Sequence, residues 1–185
     1  NELRYSPKET MRLCQKLYEG GHITYMRTDS KKYAKPFLSQ ASSFIQKKYE
    51  KKYLANEESL RSLTSDQANP HEAIRPTNIY TSKLPESIGN KEARLYKLIR
   101  ETTLQSCMSA AELYSIKGTI TSPQGEYARK CEQMSFPGWM IIGGTDKGAI
   151  DEKEYKLFSS TKPCQVNYTK ICSKMTLKEL KQHYT

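Results

Sequence analysis

A phenol, a guanidinium and a carboxylate recur at every second position of Ile23-Thr24-Tyr25-Met26-Arg27-Thr28-Asp29-Ser30. In an extended backbone alternate side chains share a face, so Tyr25, Arg27 and Asp29 are expected to project together. A phenol beside a planar cation suits attack on a phosphodiester, because the guanidinium can hold two phosphate oxygens at once. A free tyrosine has a pKa of about 10, and a neighbouring cation lowers the cost of losing its proton. The same cation neutralises charge that grows in the transition state. The plainer reading is a half-buried strand end with a surface ion pair between Arg27 and Asp29. Spacing alone leaves both open.

A second cluster, His71, Glu72 and Arg75, stands between Pro70 and Pro76. The two prolines predict a rigid loop or a single helical turn. A lone histidine is more often structural than functional. This one comes with a carboxylate and a cation within four residues, which makes the group a candidate site.

The flanking elements must hold these residues. Ser6-Pro7-Lys8-Glu9 is a capping box with proline at the first helical position. Met11, Cys14, Leu17 and Tyr18 follow at helical spacing, and Gly20-Gly21 ends the helix just before Tyr25. A second helix is predicted from Pro36 to about Tyr49, burying Phe37, Leu38, Ala41, Phe44 and Ile45. Residues 50–70 show no periodicity, and 64–70 reads as a loop. A long helix is predicted from Asn90 to about Ala111, with Ala93, Tyr96, Ile99, Thr103 and Cys107 on one face. Arg94, Lys97 and Arg100 fall on the other, as a phosphate-facing stripe or simply the wet side.

The pattern changes near Leu113. Alternation through Tyr114, Ile116 and Ile120, a turn at Ser122-Pro123-Gln124-Gly125, and alternation again from Glu126 to Phe136 predict strands. Trp139-Met140-Ile141-Ile142 and the stretches near 154–158 and 165–175 read as further short strands. Thr176-Leu177-Lys178-Glu179 matches a capping box. The expected class is α+β: a helical domain over 1–111, then a β-rich, partial-barrel segment over 112–185. Exposed strand edges there would favour self-association.

The net charge is +10, and residues 1–110 carry 19 Lys and Arg against 12 Asp and Glu. That balance favours a polyanionic partner, nucleic acid above all. Lys31-Lys32-Tyr33, Lys47-Lys48-Tyr49 and Lys51-Lys52-Tyr53 interleave bases with aromatics, as a nucleic-acid strand requires, or as a solvated helix face also does. The five cysteines form no C-x-x-C pair, which argues against a disulfide framework or zinc site and for a reducing, cytoplasmic setting. No apolar run approaches membrane-spanning length, so no membrane partner is expected. The sequence starts without methionine and reads as a piece of a longer protein.

Together, Ile23–Ser30, His71-Glu72-Ala73-Ile74-Arg75-Pro76 and the leading Leu17-Tyr18-Glu19-Gly20-Gly21 resemble the type IA DNA topoisomerases, in the bacterial topoisomerase I branch. Met26 is closer to that branch than to topoisomerase III, which usually has proline there. Pro70 departs from many relatives, which carry a small residue before the histidine. The likeness is weaker at Phe136-Pro137-Gly138-Trp139 and Gln182-His183-Tyr184-Thr185. The resemblance implies a helix-turn-helix (CAP-like) domain whose Tyr25 attacks single-stranded or underwound DNA, forming a 5′-phosphotyrosyl link. It implies that Arg27 holds the scissile phosphate, Asp29 supports relaxation and His71 contacts DNA phosphate, with Glu72 and Arg75 supporting the site or touching DNA. Negatively supercoiled DNA would be relaxed without ATP. Mg²⁺ in the full-length enzyme would be bound by a TOPRIM domain of the same polypeptide, outside this chain. The sequence has no D-x-D pattern of its own, so the chain alone is expected to bind DNA without cleaving it.

Two other readings remain open at this stage. A tyrosine recombinase-like strand transferase also combines Tyr, Arg and His, but its nucleophile follows the Arg and His in the chain. A non-catalytic helical DNA-binding module would use the basic first part on duplex phosphates.

Overall fold

Ser6 starts the first helix as its sequence predicts. Its hydroxyl accepts from the Glu9 amide at 3.2 Å, and Pro7 opens α1, Pro7–Glu19. The computed structural model describes residues 2–65, 71–85, 87–123, 125–144 and 152–165. In it, α1 buries Leu13, Cys14 and Leu17. The helix closes in a glycine turn, where the Gly21 and His22 amides donate to the carbonyls of Tyr18 and Leu17. Gly21 takes φ +70°, a left-handed position at which a β-carbon would be strained. That turn sends the chain back into the Tyr25 segment.

Helix α2, Lys35–Tyr49, buries Phe37, Leu38, Ala41 and Ile45, with Phe44 half-buried beside them. The aperiodic stretch beyond it holds a 3-10 turn at Lys51–Tyr53 and α3, Glu57–Ser62, capped by the Asn56 side chain. Elements this short leave no periodic signature. Helix α4, Asn90–Ser106, ends earlier than its sequence suggests. From Cys107 onward the backbone pairs instead with the 53–55 segment: Ala55 donates to the Cys107 carbonyl and Ser109 to the Tyr53 carbonyl.

Two hydrophobic clusters result, and α4 runs through both. Leu95 and Tyr96 pack with Leu13, Leu17, Ile23 and Met26. Leu104 and Cys107 pack with α2, Tyr53, Ala73 and Ile79. Arg100 corrects the expected basic stripe. It is buried, and its Nε donates to the Ile79 carbonyl at 2.9 Å. Lys16–Glu92 at 3.0 Å and Lys91–Glu9 at 2.6 Å join α1 to α4. A hydrogen bond from its own backbone amide, then Lys16, holds the Glu92 carboxyl below the usual carboxylate range. Its contribution is therefore present above the ordinary carboxylate pKa and lost as pH falls through the lowered one.

Strands β1, Glu112–Ser122, and β2, Gly125–Phe136, form one antiparallel hairpin with Ile116 opposite Cys131. Among the described residues this hairpin is the whole of the β-rich segment, and no barrel is seen. Trp139–Ile142 is not a strand but lies in a 3-10 helix, Gly138–Gly143. Pro137 is already helical in backbone, and the Trp139 amide donates to the Ser109 carbonyl. Gly138, at φ +48°, lies against the carbonyls of Ser109 and Ala110, where a β-carbon would collide. Ile141 and Ile142 thereby pack back onto the helical cluster. The segment near 154–158 is also helical, within α5, Glu152–Ser160. Glu154 pairs with Arg129 at 2.9 Å, and Phe158, one turn on, covers Gly118. A short apolar run does not distinguish strand from helix by itself. Apart from Gln165, the stretch at 165–175 and the capping box at Thr176 lie outside the described residues, as do 66–70 of the expected loop.

No helix among the described residues is long and apolar enough to cross a membrane. Cys14, Cys107 and Cys131 are buried thiols outside any disulfide, and Cys164 is exposed. Burial pushes the Cys107 thiol up to about 11. Under native conditions at neutral pH, iodoacetamide should therefore label Cys164 well before Cys14, Cys107 and Cys131, read by peptide mass. Cys14, Cys107 and Cys131 should react only after denaturant is added; equal labelling of Cys107 in the native chain would contradict this packing.

Candidate active site

Short backbone bonds set the position of Tyr25. Ile23 bridges Pro76 antiparallel, the Thr24 amide donates to the Arg75 carbonyl at 2.9 Å, and the Thr77 amide donates to the His22 carbonyl at 3.0 Å. The Thr24 hydroxyl donates to the Ala73 carbonyl at 2.8 Å and accepts from the Arg75 amide at 2.9 Å. Ile23 and Met26 point into the core, while Tyr25, Arg27 and Asp29 are exposed. The expected alternation is thus seen around a bend rather than in a long strand.

Tyr25 is 43% exposed, and its ring meets that of Tyr18 edge-on at 5.1 Å. With Arg27 it lines a cavity of about 540 Å³, completed by Met26 and by Met11, Arg12 and Gln15 of α1. A phenol and two guanidiniums therefore border one space. Two cations there can compensate the charge of a bound phosphodiester and leave the phenol in reach of its phosphorus. The surface ion pair between Arg27 and Asp29 does not form among the described residues. Asp29 is exposed beyond the cavity lining, in a stretch where Thr28 Oγ1 accepts from the Ser30 amide.

The second cluster divides. His71 is exposed, outside the lining of the Tyr25 cavity. Glu72 and Arg75 turn inward and form a forked pair, Nε to Oε1 at 3.0 Å and Nη2 to Oε2 at 2.7 Å. Glu72 Oε1 also accepts from the Ala34 amide at 2.6 Å, so its negative charge stands at the N-terminus of α2. Arg75 donates from Nη1 to the Pro76 carbonyl and lies 4.1 Å from the centre of the Phe37 ring. These contacts of the guanidinium are all internal, so in this conformation it braces the loop.

Sequence reasoning missed Arg12, Gln15 and Tyr18 as neighbours of Tyr25. A faint signal exists. The glycine turn reverses the chain, so the segment after it must pass along the outward face of α1. Thr24 and Thr77 carried no signal, because their role depends on contacts 49 and 56 residues away.

The comparisons with known proteins bear on this arrangement. A family model described as DNA topoisomerase matches residues 1–185. The chain belongs to the type IA DNA topoisomerases. DNA topoisomerase 1 of Helicobacter pylori is 38% identical over 160 residues, covering 80% of this chain and 22% of the relative. The Haemophilus influenzae enzyme is 34% identical over 191 residues, 99% of this chain and 20% of its own length. Full-length topoisomerase I from Thermotoga maritima, a solved structure, has TM-score 0.62 and 26% identity over 76% of this chain and 24% of that one. The chain thus spans about a fifth of the length of the curated relatives it matches. The recombinase alternative falls away with this membership. Among the described residues of this topoisomerase chain, no group of three or more His, Cys, Asp or Glu is placed to hold a metal ion.

The forked pair yields a stability test. Glu72→Ala removes three hydrogen bonds and leaves a half-buried guanidinium without its carboxylate, which should cost about 1–3 kcal/mol in urea unfolding. Glu72→Gln, which still accepts from Ala34, should lose less; an unchanged midpoint for Glu72→Ala would contradict the bracing role.

Proposed function

We propose that this chain supplies the tyrosine side of a type IA topoisomerase active site. The Tyr25 hydroxyl oxygen attacks the phosphorus of a single-stranded or underwound DNA segment. The oxygen–phosphorus bond to tyrosine forms as the bond to the 3′ oxygen breaks, leaving a 5′-phosphotyrosyl link and a free 3′-hydroxyl. Resealing reverses the step, and because the phosphoester is conserved no ATP is needed. In the whole enzyme this cycle relaxes negative supercoils. The observation that carries the reading is the shared cavity of Tyr25, Arg27 and Arg12.

In this reading Arg27 holds the scissile phosphate, His71 contacts a neighbouring phosphate, and Asp29 supports relaxation. Glu72 and Arg75 act by holding the loop. Residues 1–111 form the tyrosine domain, and 112–185 belong to the gate through which the second strand passes. A TOPRIM domain elsewhere in the polypeptide supplies the Mg²⁺ ligands, and the protein works in the cytoplasm, where the DNA is. Taken alone, the chain is a DNA-binding module, consistent with its net charge of +10.

The test is complementation. The chain and a TOPRIM-containing fragment should each fail to cleave a labelled single-stranded oligonucleotide with Mg²⁺. Mixed, they should give a protein adduct on the 5′-phosphate. Tyr25→Phe should abolish the adduct, and Arg27→Ala should lower its rate about 100-fold or more. Cleavage by the chain alone, an adduct that survives Tyr25→Phe, or attachment at a 3′-phosphate would overturn the reading.

A further inference from the structure

Tyr80 is 52% exposed, yet it sits on a turn held from several sides. Asn78 Oδ1 accepts from the Tyr80 amide at 2.9 Å, and the Asn78 carbonyl accepts from Thr81 at 3.3 Å. Two buried side chains of α4 fix the turn from below. Tyr96 Oη donates to the Thr81 carbonyl at 2.9 Å, and Arg100 Nε donates to that of Ile79 at 2.9 Å. The Tyr80 ring meets Phe44 edge-on at 5.5 Å and 78°. Lys48 Nζ lies 5.6 Å from the Phe44 ring centre and 5.3 Å from that of Tyr49. Lys47 and Lys51 are exposed alongside in sequence, while Lys52 pairs with Glu50 at 3.3 Å.

These residues do not line the Tyr25 cavity, and Phe44 packs on the other hydrophobic cluster. Burying an arginine and a tyrosine hydroxyl to anchor an exposed aromatic does little for solubility. It does pre-position a flat ring beside positive charge, which is how sequence-tolerant single-strand sites are built. Charge selects the occupant: lysines match phosphates, and the ring matches a base.

We propose that Tyr80 and Lys48 form a second contact for single-stranded DNA, away from the reacting phosphate. One base stacks on the open face of Tyr80, and adjacent phosphates pair with Lys48 and with Lys47 or Lys51. This rests on the DNA-binding reading above but not on the chemistry of Tyr25. The site would hold the strand at a fixed distance from the cleavage point without selecting its sequence.

Fluorescence anisotropy tests it, with a labelled oligothymidylate and an abasic strand of equal length over a salt series. Tyr80→Ala should weaken oligothymidylate binding about 5-fold or more and leave the abasic strand unchanged. Tyr80→Phe, which keeps the ring, should bind like the parent. Lys48→Gln should reduce the slope of log affinity against log salt by about 0.7 on both strands. Equal loss on both strands with Tyr80→Ala, no loss at all, or competition by poly-glutamate that matches unlabelled oligothymidylate would overturn the proposal. Arg27→Ala separates the two readings. If it changes nothing while Tyr80→Ala does, the cavity assignment fails and the second site stands; if the parent chain binds neither strand, both fail.

Discussion

Thr24 uses one hydroxyl to donate to the Ala73 carbonyl and to accept from the Arg75 amide, beside the backbone bond from its own amide to Arg75. Each such bond is worth only about 1 kcal/mol net. Their position matters more than their sum. They tie the residue before Tyr25 to a loop that is itself braced by the Glu72–Arg75 fork, and the fork ends on the amide of Ala34, the residue just before α2. From α1 to α2, the chain is pinned by groups distant in sequence. The glycine turn at Gly20–Gly21 supplies the other anchor by returning the chain along α1, which brings Arg12 and Gln15 to the same cavity as Tyr25 and Arg27.

Under the proposed function, bracing and reaction fall to different residues. Glu72 and Arg75 satisfy each other and the backbone, so their charges are largely committed inside the molecule. Arg12 and Arg27 instead border the space in front of the phenol. Positive charge at that place would offset the negative charge that grows on a phosphate under attack. Arg100 is committed in the same way on a different turn: a cation expected on a phosphate-facing or simply wet side of α4 instead meets a carbonyl and an aromatic face.

What was legible in the sequence was local. The capping box at Ser6, the glycine end of α1, the inward face of α2 and the hairpin turn near Gly125 all depend on neighbours within a few residues. The alternation of Tyr25, Arg27 and Asp29 was readable for the same reason. Errors arose where a distant segment decided the outcome. α4 stops at Ser106 because the next residues pair with 53–55; Trp139 turns helical against Ser109; and the 154–158 run winds into a helix to place Glu154 and Phe158 on the hairpin. The inward turn of Glu72 and Arg75 likewise depends on Ala34 and Phe37, and no spacing rule within the 71–76 motif reveals them.

The two motifs form one rigid unit, and that unit places Tyr25. Amide hydrogen exchange of Thr24, Arg75 and Thr77 measures this most directly. If the unit is rigid, these three amides should exchange only with global unfolding, as slowly as the innermost amides of α1 and α4. Exchange at loop rates while those helices stay protected would contradict the account, since Tyr25 would then hang on a segment that opens by itself.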